Sequence, residues 1–202
     1  VVFDRRVGER VLSFGTTGKL RHSDLVMYDR ETESWWQQFI GRGIVGHYSG
    51  QKISAVPARL ESLERFRERA PDGVVLLAPA EARRAYGTNP YVGYDRSSRP
   101  FLYRGAYDVR IAPLARVVVV GRDAWPLDLL RERGRIEWND LVLTWTGGQS
   151  SALDSEDIAL GWDVGNVVVQ KKSSAGLEDT VYDVALAFAF HAFHPEGILH
   201  LD

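Results

Sequence analysis

The residues best suited to chemistry in this 202-residue chain fall into four groups. Asp29 and Arg30 stand side by side ahead of Glu31 and Thr32. An aspartate placed there can accept backbone N–H groups and brace a turn. In a pocket, the same pair would make Asp29 a general base and Arg30 a clamp for an anion. His191 and His194 lie three residues apart near the predicted end of a helix, on adjacent faces. With a third ligand from Glu196 or His200 they are candidates for a metal site. The structural alternative puts His194 at the helix C-terminus, where a cation is favoured, and His191 in solvent. Trp35 and Trp36 are adjacent, so on a strand they point to opposite faces. One belongs to a core; the other can stack on a sugar or aromatic ligand, or be covered by a tyrosine-rich loop. That loop holds the fourth group, Asn89, Tyr91, Tyr94, Asp95 and Arg96. It is the best candidate rim for a site; the alternative is an ordered lid pinned by tyrosine hydroxyls.

The elements that must position these groups can be read from periodicity. Residues 1–56 are strand-rich. Val11 to Gly15 alternates, Gly15-Thr16-Thr17-Gly18 reads as a turn, and strands are predicted at Leu25–Tyr28, Trp35–Ile40, Gly43–His47 and Lys52–Val56. This spacing predicts an antiparallel meander. Pro57 to Ala70 has helical periodicity, closed by Pro71-Asp72-Gly73 and then a short strand at Val74–Leu77. Residues 79–113 form a long loop rich in Arg, Tyr, Gly and Pro, either functional or poorly ordered; Tyr86, Tyr91, Tyr94 and Tyr103 favour order. Arg116–Gly121 reads as a buried strand, Pro126–Arg133 as a helix, and Leu141–Trp145 and Val164–Gln170 as strands. Thr180 to Asp183 fits a capping box opening a helix to about Phe193. The expected class is α+β, mainly β: an antiparallel sheet or partly open barrel with short edge helices.

Composition excludes several classes. The chain has no cysteine, which removes disulfides, thiolate metal sites, cysteine nucleophiles and cysteine-held iron–sulfur clusters. Its net charge of -2 argues against a generally basic nucleic-acid surface. No apolar run approaches the ~20 residues of a membrane-spanning helix. Arginine outnumbers lysine 21 to 4, which favours planar ion pairs with carboxylates. There is no Gly-x-Ser-x-Gly elbow, phosphate loop, His-Glu-x-x-His or dinucleotide fingerprint. No cofactor is implied.

An internal repeat is visible. Phe66 to Leu76 aligns with Phe190 to His200; each reads aromatic, four residues, Pro, acid, Gly, then an apolar stretch. Val1-Val2-Phe3-Asp4-Arg5-Arg6 likewise resembles Val167 to Lys172. The order is common to both, so the chain divides into two unequal related units, 1–113 and 114–202, within one globule. The second unit carries a preface, Arg116 to Asp163, with no counterpart in the first. The expectation is therefore that Val1 lies mid-strand and that the first unit's opening piece has been lost.

The blocks Phe14 to Leu20, Ser23 to Phe39, Gly41 to Gly46, Asn89 to Asp95, Pro100 to Gly105 and Ala192 to Pro195 together resemble the domain-of-unknown-function family 3179 (DUF3179). The resemblance covers most of the chain. It implies an upstream preface ending in Cys-Pro-Leu-Cys-Gly and an extracytoplasmic setting, and it implies no reaction. His22 and His47 depart from the family pattern, and Ser150 to Glu178 looks degenerate.

Three functions remain open. The first is a non-catalytic ligand-binding or interaction module of the cell envelope. Its partner is a small molecule or protein, held in a groove between the Trp35/Trp36 sheet and loop 86–96, with Arg30 and Asn89 among the contacts. The second is a hydrolase-like enzyme using two of Asp29, Asp95 and His194. The third is a fragment whose cysteine-containing active or metal site lies upstream.

Overall fold

The computed structural model of the chain describes residues 1–81 and 83–202. A hairpin of β1 (Arg6–Val7) and β2 (Arg10–Val11) opens the fold. Next comes a meander, with β3 (Phe14–Arg21), β4 (Asp24–Asp29), β5 (Trp35–Gln37) and β6 (Arg42–Val45) paired in chain order. After α1 (Leu63–Arg69) and the long loop come β7 (Arg116–Val120), β8 (Asp123–Pro126) and α2 (Leu127–Arg133). The chain continues through β9 (Arg135–Trp138), β10 (Leu141–Thr146), β11 (Asn166–Ser173) and β12 (Gly176–Asp179). It closes with β13 (Asp183–Leu186), α3 (Ala187–Phe193) and β14 (Ile198–Leu199). The fold is mainly β within the α+β class. Its strands form separate small sheets rather than one sheet or a barrel. Beside the meander stand the sheets β12-β11-β10-β9 and β13-β7-β8-β14, the latter with β14 parallel to β8. Among the described residues no helix is long and apolar enough to cross a membrane.

The four-valine run has a simple cause. Val118 faces a cluster with Trp125, Leu130, Leu143 and Val169, while Val117 and Val119 face Ala187, Phe190 and Leu199. β7 is buried on both sides, so every position is apolar instead of every second one. The meander has its own core of Leu12, Trp36, Tyr48 and Ile53. Leu114, Phe188 and Ala189, packed by Phe39 and Tyr94, join α3 to the meander and the long loop.

The structure corrects several local expectations. Gly15–Gly18 does not turn. Gly15 pairs with Tyr28 inside β3, and the register slips between Thr16 and Leu20, around Gly18 at φ 73°. The hairpin turns at His22 and Ser23, φ 53° and 64°. Positive φ at both central residues is the tight-hairpin conformation whose twist matches the strands. The helix expected from Pro57 begins only at Leu63, where the Ser62 side chain accepts from Arg65 N. Val74–Leu77 forms no strand and is exposed. Thr180–Asp183 opens no helix. Tyr182 is buried, with its hydroxyl donating to Val167 O at 2.8 Å, and Asp183–Leu186 pairs with β7 before α3 starts at Ala187. Val1 is not mid-strand. Its ammonium group pairs with Asp183 at 3.2 Å, and the segment's ladder contact is a bridge from Phe3 to Ala55.

Candidate functional site

The long loop is held by its own asparagine. Asn89 N donates to Glu156 O (2.7 Å) and its Nδ2 to Ser155 O (3.1 Å), while its Oδ1 accepts from Tyr91 N (2.7 Å). Gly93 N reaches Asp154 O at 2.8 Å, and a single 3-10 turn, Tyr94–Arg96, comes next. These bonds fix the loop against residues 151–162. The Tyr94 hydroxyl accepts from Phe101 N (3.0 Å) and the Tyr103 hydroxyl donates to Ala106 O (2.7 Å), so tyrosines do pin the segment.

The turn delivers Asp95 into the protein. Its side chain is 1% exposed. One oxygen, Oδ2, accepts from Ser151 Oγ (2.6 Å), Trp162 Nε1 (3.0 Å) and both terminal nitrogens of Arg116 (3.3 and 3.4 Å). Arg116, at the head of β7, also donates to Ser151 Oγ at 2.8 Å and lies over the Trp162 ring. Burial pushes the Asp95 carboxyl up. The hydrogen bonds from Ser151 and Trp162 and the charge of Arg116 outweigh it, and hold the group below the ordinary aspartate value. The other oxygen, Oδ1, is buried without a hydrogen-bond partner.

Asp95 and Arg116 line a cavity of about 380 Å³ with Leu114, Leu127, Val164 and Trp162. Ser97, Ser98, Ala112 and the Asp128–Arg131 ion pair (3.0 Å) also line it. An ionised acceptor beside an apolar wall and an indole can bind and orient a ligand; a carboxyl held below its ordinary value is a poor proton acceptor.

The other candidates lie elsewhere. Both Asp29 oxygens are engaged: Oδ1 accepts from Thr32 N (2.6 Å) and Thr32 Oγ1 (2.8 Å), and Oδ2 from Trp36 Nε1 (2.9 Å). Burial raises its pKa, and these bonds more than offset that and lower it. Asp29 is fully buried and braces the turn, while Arg30 stays exposed and reaches the Tyr28 hydroxyl at 2.9 Å. Trp36 is core; the Trp35 ring lies beneath Lys19 at 5.7 Å. The expected groove between these tryptophans and loop 86–96 is not how the loop packs, because its anchoring hydrogen bonds run to residues 151–162. Tyr91 is exposed, 6.3 Å from the Tyr94 ring.

His194 is the cap residue of α3, half-buried against Phe39 and Phe190. Burial, then the charges of Lys52 and Arg122, lower its pKa, so it caps the helix as a neutral ring rather than a cation. His191 sits in the last turn. His200 is committed elsewhere: it stacks on Trp125 at 4.7 Å and shares a 2.8 Å hydrogen bond with Asp123. Among the described residues no three His, Asp or Glu side chains gather as a metal site. Asp95 and His194 line different cavities, and no hydrogen bond joins any two of Asp29, Asp95 and His194.

Arg116, Ser151 and Trp162 complete the Asp95 site, and no sequence motif marks them. Ser151 and Trp162 fall in the stretch that reads as degenerate. Arg116 does carry a signal, a charged residue heading a strand whose next three residues, Val117 to Val119, are buried.

Neither the curated proteins nor the solved structures gave a match to the chain. A family profile did, over residues 1–197, with the description "Protein of unknown function (DUF3179)". The loop, the tandem tryptophans and the closing helix all fall inside that span, and the chain belongs to the DUF3179 family.

Proposed function

We propose that the chain is a non-catalytic binding module whose site is the Asp95 cavity. Its ligand is a small neutral molecule with a hydroxyl or N–H donor on an apolar body. The observation that carries this is the meeting, at one cavity, of an apolar wall with a carboxylate whose Oδ1 has no hydrogen-bond partner. Oδ1 is closed to solvent, so the ligand's donor reaches it as the Tyr94–Arg96 turn shifts to admit it. Leaving a buried acceptor unpaired costs about 1–3 kcal/mol. An ionised carboxylate can only accept, so the missing partner must donate. Charge favours a neutral ligand. Arg116 is matched by Asp95, Arg131 by Asp128 (3.0 Å) and Arg96 by Asp154 (2.7 Å), which leaves little pull on an anion. Leu114, Leu127 and Val164 supply the apolar wall and Trp162 a flat one.

Ligand-observed NMR with phenols, anilides and cyclohexanols tests this. Donor-bearing neutral fragments should bind, and carboxylates of the same shape should not. Asp95→Asn should weaken binding roughly tenfold to a hundredfold, the worth of a hydrogen bond to a charged group. Ala112→Phe, at an exposed lip of the cavity, should block it. Fragments that bind equally well to Ala112→Phe, or a wild-type protein that binds none, would sink the reading.

A further inference from the structure

The sheet β12-β11-β10-β9 has two faces of opposite character. Side chains alternate along a strand. Leu141, Leu143 and Trp145 of β10, with Val167 and Val169 of β11, turn into the core around Trp125. The other face carries Thr144 and Thr146, paired across the ladder with Val168 and Asn166. Over that polar face lies α1.

A helix ordinarily turns its apolar stripe toward the protein, and α1 is reversed. Arg65, Glu68 and Arg69, at i, i+3 and i+4, share one face, and all three line a cavity with the sheet's Thr144, Thr146 and Asn166. Leu63 is 50% exposed, Leu60 just ahead of the helix is 60% exposed, and no α1 residue is buried. The segment is held through polar bonds: Arg65 donates to Gly147 O, Asn166 Nδ2 donates to Leu60 O at 2.7 Å, and Arg59 pairs with Asp179 at 2.5 Å.

The cavity between helix and sheet measures about 380 Å³ and shares no lining residue with the Asp95 cavity. Val168 is the one apolar residue in its lining. Its floor keeps polar groups in reserve. Asn166 is 3% exposed, and its Nδ2 is used twice, on Leu60 O and on Gln149 Oε1 (3.2 Å), while among the described residues nothing donates to its Oδ1. The only unpartnered side-chain atom sealed from solvent among those residues is Asp95 Oδ1, so the Asn166 oxygen opens onto the cavity that its residue lines. The hydroxyls of Thr144 and Thr146 bond to no group of the described residues. The charges in the roof are matched. Arg59 pairs with Asp179 and Arg69 with Glu61, and Arg65 is balanced by Glu68.

We propose that this cavity is a second binding site, for an uncharged polyhydroxyl ligand of monosaccharide size. Matched charges give an ion of either sign little pull, and one valine gives an apolar body little wall. What remains is a set of donors and acceptors at short intervals. A hydroxyl both donates and accepts. Ligand hydroxyls donate to Asn166 Oδ1 and to the Glu68 carboxylate, accept from Arg65, and exchange bonds with Thr144 and Thr146. The volume lies at the small end of the range for ligand pockets. The inverted helix then has a cause: it faces a polar guest instead of a core.

Saturation-transfer NMR on residues 1–202 with glucose, galactose, mannose and inositol tests this, with permethylated glucose and sulfate as controls. At least one free polyol should bind, and neither control should. Thr144→Val combined with Thr146→Val removes two hydroxyls and keeps the side-chain shape; it should weaken binding about tenfold or more, the worth of two hydrogen bonds. Glu68→Gln, at an exposed position outside any ion pair of the described residues, should weaken it as well without touching the fold. Ala112→Phe, in the Asp95 cavity, should leave it unchanged, which separates this site from that one. The bound polyol should also slow amide exchange at Phe66 and Ala70, whose N–H groups close the helical turns. A wild-type protein that binds none of the polyols overturns the proposal. So does equal binding to the threonine and Glu68 variants, and so does sulfate binding in place of the polyols, which would assign the cavity to an anion.

Discussion

At Pro71 and at Pro195 the chain leaves a seven-residue helix by the same turn and enters opposite environments. Phe190 is buried against Val117, Val119, Ala124 and Leu199. Phe66 closes over its own glycine with no buried neighbour on its helix. The turn is written locally, by aromatic, Pro, acid and Gly at fixed spacing. The strand after it is not local. Ile198–Leu199 becomes a strand because β8 presents an edge, and Val74–Leu77, of equal strand propensity, stays extended coil without one.

The largest expected difference between the corners is in the cost of removing the ring. Phe190→Ala should destabilise the protein by about 3–5 kcal/mol, the range for a buried phenylalanine. Phe66→Ala should cost under about 1 kcal/mol, as for surface substitutions that touch little. Urea unfolding of the two variants measures both. Equal costs would show that Phe66 is as deeply engaged as Phe190 and would erase the contrast.

The same division explains how much of the molecule is legible in its sequence. The meander, β7, α2 and the α+β class are legible because they rest on alternation, a valine run and Pro/Gly punctuation. The hairpin turn is not, because Gly15–Gly18 carries the usual turn residues. His22 and Ser23, which adopt positive φ, do not. Asp183–Leu186 hides inside an apparent helix because its four residues suit either state, and the free edge of β7 decides. Asp95 is legible as a loop carboxylate. Its partners are not: Ser151 and Trp162 are 56 and 67 residues away in the chain and have no pattern of their own. Asp29 shows the reverse. Its turn-bracing role can be read from the nearby Thr32 alone, and the bond from Trp36 adds only depth.

The glycines should separate the corners by a smaller margin. On Gly197 a new methyl meets Phe190 Cζ at 2.6 Å, His194 O at 2.9 Å and Arg122 O at 3.0 Å. Neither the buried ring nor the backbone of the β7–β8 turn can withdraw. Gly197→Ala should therefore cost about 1–3 kcal/mol, as overpacking does. On Gly73 the ring contact is as close, 2.5 Å, but Phe66 is at the surface and can swing out. Gly73→Ala should cost under about 1 kcal/mol. Thermal unfolding of the pair sharpens the comparison, since both share the cap carbonyl contact at 2.9 Å and differ in what lies beyond the ring. If Gly73→Ala proves the costlier, the first corner is the more tightly held.

The corners also differ in whether they titrate. Ala70 caps the first and His194 the second. Burial, Lys52 and Arg122 hold His194 below its ordinary value of 6.5 against the opposing charge of Asp183. The unfolded chain therefore takes up this proton at a higher pH than the folded one, and protonation favours unfolding. The stability contributed by a neutral His194 is complete above about pH 6.5 and is lost as pH falls toward the depressed folded value. His194→Gln should flatten the fall in stability in that window, measured as urea midpoints from about pH 7.5 to about 5, the range that brackets an ordinary imidazole. The flattening should be partial, because burial also lowers His22 and gives it the same sign. A variant whose acid slope equals that of the parent would mean that His194 titrates as freely as a residue in solvent, and that the second corner is no more closed than the first.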